Sequence, residues 1–245
     1  MLDTGIGLTL VSESLATLVG CMPNGSTYTG RRMSGQEVTL PLGSLGSLSV
    51  GGHRRENLVV GIFDMAGLAS LEGVGGFLSL DYFRSMPVTL DYAAGVVILE
   101  DPVSLAARAE SAASVEVRVE HDAHTTSVFL PLDVAGLGSI SVEVDMGSDS
   151  LILDEGLAGD LGVDLDAKST RRVEGEDETG HMFARYFSRL HGVVNVTGAP
   201  AIRQSDPEVM FQKIIYDGLV GDAFLRNFVV TYDLGNARMI FAAPR

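Results

Sequence analysis

The sequence lacks paired cysteines, a long apolar segment and an excess of basic residues, which disulfide-bonded, membrane-spanning and nucleic-acid-binding proteins respectively require. Cys21 is its only cysteine, so an intrachain disulfide is impossible, and nothing near it suggests the histidine partner of a catalytic thiol. No apolar run reaches the roughly 18 residues of a membrane-spanning helix. The chain has only 17 Lys and Arg against 32 Asp and Glu, and a net charge of -15 argues against a nucleic-acid backbone as partner. A globular, acidic chain remains.

Glycine and short alternating strands are abundant. The 245 residues are 46% hydrophobic and include 29 glycines, which suits one large domain or two small lobes. Apolar and polar residues alternate in 115–119 and 140–144, whereas helical periodicity is brief, as in 79–86. Residues 166–205 are charged and weakly periodic, which predicts a hairpin and a surface segment at 197–207. The pattern favours an all-β fold with short helices.

Two pairs of segments repeat at one common offset. DTGIGLTLVSESLA (3–16) aligns without a gap with DMGSDSLILDEGLA (145–158), so each copy starts with an Asp-x-Gly. GFLSLDYFRSMPVTLDY (76–92) aligns with GLVGDAFLRNFVVTYDL (218–234) at the same offset of 142 residues. One such match can arise by chance, but two matches in one register indicate an internal duplication. We therefore expect two homologous halves.

The repeated Asp-x-Gly can support acid–base chemistry. An Asp at the end of an apolar strand sits in a tight loop, where a following Gly permits a close approach that a Cβ would block. Two such loops from homologous halves can meet on a pseudo-twofold axis, which would bring Asp3 and Asp145 face to face. Carboxylates a few Å apart share one proton, because both do not ionise readily. One then acts as a base on water and the other as an acid toward a carbonyl oxygen.

These motifs resemble those of the aspartic peptidases. The DTG at 3–5, the stretch FLRNFVVTYD (224–233) and the segment SLSVGGHRRENLVVGIFD (47–64) are similar to parts of bacterial retropepsin-like aspartyl proteases with two fused lobes. The dyad of that family is a standard example of proton sharing between carboxyl groups. The resemblance implies an all-β, bilobal acid-protease fold, with two homologous β-barrel-like lobes, short helices and an active cleft between the lobes.

The resemblance also implies how the site works. Asp3 and Asp145 would be the catalytic pair of an aspartic endopeptidase that hydrolyses peptide bonds, with a flap within residues 22–36. Ser148 would support Asp145 with its hydroxyl. The implied partner is a protein or peptide substrate, and no metal or organic cofactor is implied. Both loops are in one chain, so a monomer suffices. The residues that would support the two loops are Thr4, Gly5, Met146, Gly147 and Ser148.

The resemblance divides the chain into an N-terminal lobe (1–100), a linker (101–113) and a C-terminal lobe (114–245). The strands that lead into the second Asp-x-Gly include a hairpin with no counterpart before the first. We therefore expect the N-terminal lobe to lack its first hairpin, through truncation or loss. No secretory signal precedes residue 1; if one lies upstream, an exported or periplasmic location is expected.

Met146 and Ser79 depart from the family pattern. Met146 cannot make the hydroxyl hydrogen bond with which that family braces its two loops, and one buried hydrogen bond is worth on the order of 1 kcal/mol. Ser79 stands where the second half has Gly221 in its apolar-apolar-Gly element. These departures keep open a second hypothesis, in which a degenerate module binds peptides or a partner protein in the cleft and cuts nothing.

Two further patterns have simpler explanations. His121 and His124 have a spacing compatible with metal binding, but without a third ligand a solvated hairpin tip is favoured. Asp91 and Asp233 follow strands and precede turns, so turn formation explains them without a catalytic role.

Overall fold

A computed structural model describes residues 1–65, 73–177 and 180–244 of the protein. Within these ranges the chain is mostly β-strand, arranged in three sheets with a few short helices. The predicted all-β, two-lobed architecture is confirmed.

The N-terminal sheet has five strands in the order β2-β3-β4-β1-β5. In β4 the alternating residues Leu58, Val60 and Ile62 point into the core and are buried, as a half-buried strand requires. Strands β2 and β3 form a long antiparallel hairpin, and most residues of β2 are exposed. We call this hairpin the flap. The strand bounds are β1 Leu10–Ser12, β2 Pro23–Arg31, β3 Glu37–Val50, β4 His53–Phe63 and β5 Gly76–Phe77.

A second sheet of five strands, in the order β7-β6-β19-β20-β8, is built from the middle of the chain and its C-terminal end. Its strands are β6 Val88–Asp91, β7 Val96–Leu99, β8 Ala113–Glu116, β19 Val229–Asp233 and β20 Arg238–Ala242. Where β6 pairs antiparallel with β19, Thr89 lies opposite Thr231 with the two Oγ1 atoms 2.7 Å apart. These threonines are 142 residues apart, which is the offset of the sequence repeat.

The C-terminal sheet has ten strands and carries the second Asp-x-Gly loop at the end of β11. Its main path is β13-β14-β17-β12-β18-β11-β10-β15-β16, and β9 pairs with β10. The strand bounds are β9 Arg118–Asp122, β10 Thr125–Val134, β11 Gly138–Val144, β12 Leu151–Asp154, β13 Arg171–Glu176, β14 Met182–Arg189, β15 Val193–Val196, β16 Ala199–Ser205, β17 Glu208–Gln212 and β18 Gly218–Val220.

The helices are short, and side chains cap the first two of them. Before α2, the Asp101 carboxylate accepts the N–H groups of Val103 and Ser104, while Ser104 Oγ accepts the N–H of Asp101. This helix occupies most of the segment predicted as a linker. None of the helices in the described ranges is long and apolar enough to span a membrane. The bounds are α1 Glu13–Val19, α2 Pro102–Ser111 and α3 Asp222–Leu225, with 3-10 turns at Leu80–Phe83, Glu155–Leu157 and Leu234–Asn236.

One local prediction was wrong in extent. The helix expected at 79–86 is only the 3-10 turn Leu80–Phe83, since Pro87 disfavours helical geometry in the residue before it. The surface segment expected at 197–207 forms β16, in which only Ala199 and Ile202 are buried. A bulge between Asn195 and Val196 breaks the register of its pairing with β15, and the alternation of buried residues is weak there.

Candidate active site

Asp3 is held by contacts to the chain around Leu78. Its N–H donates to the Leu78 carbonyl at 3.0 Å, and Leu2 forms a parallel β-bridge with Leu78. The Oδ1 atom of Asp3 accepts the backbone N–H of Gly5 at 3.0 Å. The Asp-Thr-Gly loop thereby fixes the direction of its own carboxylate.

Asp145 follows β11 and is held in the same way. Its N–H donates to the carbonyl of Val220 at 3.0 Å, and Val220 stands 142 positions after Leu78. Its Oδ1 accepts the N–H of Gly147 at 2.8 Å. The two Asp-x-Gly loops therefore use the same set of hydrogen bonds to orient two carboxylates.

The two loops pack against each other through their glycines. A Cβ added to Gly5 would lie 2.3 Å from Cγ of Asp145, and one added to Gly147 would lie 2.7 Å from Oδ2 of Asp3. No side chain is tolerated at such distances, so glycine is required in both loops. The structure thus brings Asp3 and Asp145 together in a reciprocal arrangement.

Burial favours the protonated form of both carboxyl groups. It raises the pKa of Asp145 to about 7, and the negative charge of Asp3 adds to this rise. Burial also raises the pKa of Asp3, while the N–H of Gly5 acts in the opposite direction. The hydrogen bond between the two carboxyl groups lowers the pKa of Asp3 and raises that of Asp145. This difference favours Asp145 as the carrier of the shared proton.

Thr4 braces the two loops across their interface. The residue is 0% exposed, and its Oγ1 donates to the carbonyl of Val144 at 3.0 Å and accepts the N–H of Met146 at 2.9 Å. Met146 has no hydroxyl with which to return the bond from the other loop. The bracing by side chains is therefore one-sided, with two hydrogen bonds made through Thr4.

Ser148 and Ser79 make their hydrogen bonds mainly within their own lobes. The backbone N–H of Ser148 donates to the main-chain carbonyl of Asp145 at 3.1 Å and opposes the rise in the pKa of its carboxyl group, whereas Ser148 Oγ accepts the N–H of Ser150 at 3.4 Å. Ser79 is fully buried, and its N–H and hydroxyl lie 3.2 and 3.1 Å from Thr9 Oγ1. Serine is thus accommodated at the position where the second half has glycine.

The flap, expected within residues 22–36, extends to Val50 as a hairpin, and its tip contacts the opposite lobe. The N–H of Ile215 donates to the carbonyl of Met33 at 2.9 Å. The Met33 side chain packs against a small buried cluster of the C-terminal lobe, made of Ile152, Met210, Ile214 and Leu219. The tip of the flap therefore lies over part of one face of the C-terminal sheet.

A third carboxyl group near the site was missed by sequence reasoning. Glu143 lies in β11 and is 6% exposed. Burial raises the pKa of Glu143 to about 8, with the charge of Asp145 as the next cause. The signal was present in the sequence, because an isolated Glu in the apolar run ISVEV stands two residues before Asp145 and therefore on the same side of the strand.

The two histidines do not form a metal site with other described residues. His121 Nδ1 lies 3.0 Å from Thr126 Oγ1, and His124 lies exposed in the turn between β9 and β10. No group of three or more His, Cys, Asp or Glu side chains in the described ranges is arranged to hold a metal ion. Asp91 and Asp233 bond to nearby turn residues, and Asp233 also pairs with Arg238.

Comparison with known proteins identifies related sequences and folds. Residues 1–82, about a third of the chain, match the family model for aspartyl proteases. No curated protein sequence matches the chain significantly.

Two solved structures are similar to the chain. Basic 7S globulin from soybean is 9% identical and has a TM-score of 0.56, with 98% of this chain and 86% of the globulin covered. A retropepsin-like aspartic protease from Rickettsia conorii is 16% identical and has a TM-score of 0.39, with 55% of this chain and 94% of that protease covered. The match at residues 1–82 and the bilobal all-β fold support the resemblance of the chain to retropepsin-like aspartyl proteases.

Proposed function

We propose that the protein is an aspartic endopeptidase, in which a water molecule activated between Asp3 and Asp145 hydrolyses peptide bonds. The observation that carries the proposal is the reciprocal packing of the two loops, in which Gly5 and Gly147 each lie against the opposite carboxylate. An ordinary structural turn needs neither a second loop nor a shared proton. Two partly buried carboxyl groups that share one proton supply a base and an acid at one place.

The shared proton divides the chemical roles between the two residues. Ionised Asp3 takes a proton from water while the water oxygen attacks the carbonyl carbon, and protonated Asp145 donates its proton to the carbonyl oxygen. The product of this step is a tetrahedral diol. The C–N bond then breaks as the amine nitrogen takes the proton from Asp3, and a diol hydroxyl returns a proton to Asp145. The pKa of Asp145, raised to about 7 by burial and by Asp3, keeps the acid protonated in mildly acidic solution.

We also propose that two halves related by duplication form lobes 1–100 and 114–245, joined by 101–113. This is supported by the contact of Thr89 with Thr231, two residues that the repeat makes equivalent. The carbonyl groups that hold the two loops are equivalent as well. Because one chain supplies both loops, a monomer is sufficient for the site.

A binding module that holds peptides without cutting them is the second candidate. Met146 favours this candidate, because hydroxyl bracing of the loops comes from Thr4 alone. A looser pair of loops would align the carboxylates less well for attack on a peptide bond. The cleft under the flap would still bind an extended chain.

Cleavage of a peptide mixture from acidic to mildly alkaline pH, read by mass spectrometry, separates the two candidates. We expect the wild type to produce fragments and Asp145→Asn to produce none while it keeps the thermal unfolding of a folded protein. Asp160→Asn is a matched control, because Asp160 is an exposed residue of the same lobe. Undiminished cleavage by Asp145→Asn would remove the dyad from the mechanism. Binding without turnover by the wild type at every pH would establish the binding module.

A further inference from the structure

Glu143 faces the side of the C-terminal sheet that the flap covers. Its neighbours Val142 and Val144 are 0% exposed and belong to the main core, so the alternation of the strand directs Glu143 to the opposite face. The cross-strand neighbours of Glu143 on that face are Phe129 in β10 and Leu219 in β18. Glu143 is therefore a cleft residue rather than a core residue.

Apolar and aromatic side chains surround Glu143 on this face. Leu219 belongs to the cluster against which Met33 of the flap packs. Tyr216 packs edge-on against Phe129, with ring centroids 5.2 Å apart. Burial and then the charge of Glu143 raise the pKa of Tyr216 to about 12, so these two side chains are close together. Glu143 thus has the flap, an aromatic pair and the catalytic carboxyl groups around it.

Within the described ranges the carboxyl group of Glu143 has no cationic partner, as it takes part in none of the ion pairs there. Its hydrogen-bond partner is the Ser127 hydroxyl of β10. The other polar groups that act on it are anionic or neutral, namely the carboxyl groups of Asp145 and Asp3 and the phenol of Tyr216.

The basic side chain of Arg118, which lies on this face, already has partners. The guanidinium carbon of Arg118 in β9 lies 3.9 Å from the ring centroid of Phe129, and the group pairs with Glu120. From the flap, Tyr28 acts electrostatically on the aromatic pair, through Tyr216. Among the described residues, the elements packed around Glu143 therefore bring acids, phenols and apolar groups toward it, and Arg118 is already paired.

A buried carboxyl group without a cation is unfavourable, which makes its presence informative. Burial raises the pKa of Glu143 to about 8 because the ionised form loses its hydration. An apolar residue at this position would fill the space without that penalty. A cation brought by a ligand would favour the ionised form and remove the penalty. The cations that a peptide carries in its side chains are those of lysine and arginine.

We propose that Glu143 is a specificity residue, which makes the protein prefer peptides with a lysine or arginine beside the cleaved bond on the side held by the C-terminal lobe. The inference rests on the proposed peptidase function, which supplies the peptide. The ammonium or guanidinium group enters between the flap and the C-terminal sheet and pairs with the Glu143 carboxylate. Glu143 touches the substrate side chain and takes no part in bond breaking.

Two peptides that differ only by Lys or Met beside the cleaved bond test the inference. We expect the wild type to have the higher kcat/KM for the Lys peptide, and Glu143→Gln to lose roughly 10- to 100-fold of that preference. Glutamine keeps the size of the side chain and a partner for Ser127. Glu208→Gln is the matched control, since Glu208 is in the same lobe and its side chain is 67% exposed. The wild-type preference should grow as pH rises and Glu143 ionises, whereas that of Glu143→Gln should stay flat.

Binding of the same peptides to Asp145→Asn separates this inference from the proposed function. If the wild type cleaves both peptides equally well, the specificity role is overturned while the peptidase function stands. In a further outcome, the wild type cleaves neither peptide while Asp145→Asn binds the Lys peptide more tightly than the Met peptide. If adding Glu143→Gln to Asp145→Asn removes that difference in binding, the peptidase function fails and the cation site stands. Equal binding of both peptides overturns the site. The wild-type ratio needs no variant, so a misfolded Glu143→Gln would not prevent the test.

Discussion

Replacing Thr4 with valine removes one hydroxyl from between the two Asp-x-Gly loops and leaves the side-chain volume nearly unchanged. That hydroxyl donates to the carbonyl of Val144 at 3.0 Å and accepts the N–H of Met146 at 2.9 Å, at a residue that is 0% exposed. Both partners flank Asp145 in the chain. The substitution therefore tests whether one-sided bracing is what positions the proposed catalytic pair.

The expected size of the effect follows from these two bonds. Each buried hydrogen bond contributes about 1 kcal/mol, and a buried group left without its partner costs up to about 3 kcal/mol, so we expect the free energy of unfolding to fall by about 2–4 kcal/mol. Relaxation of the backbone on both sides of Asp145 also moves its carboxylate. A displacement of about 1 Å reduces catalysis by roughly 100-fold, so kcat should fall by that order with a smaller change in KM.

Urea unfolding and steady-state kinetics measure the two effects, and Thr9→Val is the matched control. Thr9 is 4% exposed, and its Oγ1 accepts the N–H of Ser79 at 3.2 Å and lies 3.1 Å from Ser79 Oγ, so both bonds stay within the N-terminal part of the site. We expect the control to lose similar stability and to keep kcat close to wild type. If Thr4→Val keeps its kcat, or if both variants lose activity alike, the bracing does not position the pair and the reasoning is refuted.

Two further predictions concern the same site. Gly147→Ala should lower kcat/KM by about 100-fold or more, because the methyl group would lie 2.7 Å from Oδ2 of Asp3, whereas Gly159→Ala at an open position should not; equal rates would contradict the packing argument. The pKa values of Asp145 and Glu143 rise from 3.8 and 4.5 to about 7 and about 8, so the folded protein keeps protons that the unfolded chain releases. The free energy of unfolding should therefore fall as pH rises from about 4 to about 8. In urea titrations Glu143→Gln should reduce that fall by on the order of a few kcal/mol. An unchanged slope in Glu143→Gln would show that Glu143 titrates as an exposed acid does.

The pairing of Asp3 with Asp145 could be anticipated because a repeat constrains distant positions together. If one offset relates two halves, equivalent residues near a pseudo-twofold axis must meet, as Thr89 and Thr231 do. The all-β fold followed from short alternating strands such as β11. Those inferences depend on pattern alone, and pattern is visible in one sequence.

The residue types alone do not predict how the contact between the two Asp-x-Gly loops accommodates Met146. The missing hydroxyl was apparent in the sequence, but the hydrogen bond from the Met146 backbone N–H to Thr4 depends on the path of the chain, which residue type does not specify. The α2 helix is a different case. Asp101, Pro102 and Ser104 form a recognisable helix start, but the Ala-rich segment that follows is equally typical of a linker.

Two differences between the halves of this site, the unequal pKa values of Asp3 and Asp145 and the presence of Glu143, both affect the proton on Asp145. The bond between the carboxyl groups lowers the pKa of Asp3 and raises that of Asp145, so the proton needed for the carbonyl oxygen is on the C-terminal side. Glu143 is on the same side, and its ionisation would add a negative charge near Asp145 and strengthen the hold on that proton, making the acid weaker. A lysine or arginine bound at Glu143 would cancel that charge. The cation that the pocket selects would thus also keep Asp145 able to donate its proton, which links the choice of substrate to the chemistry of the pair.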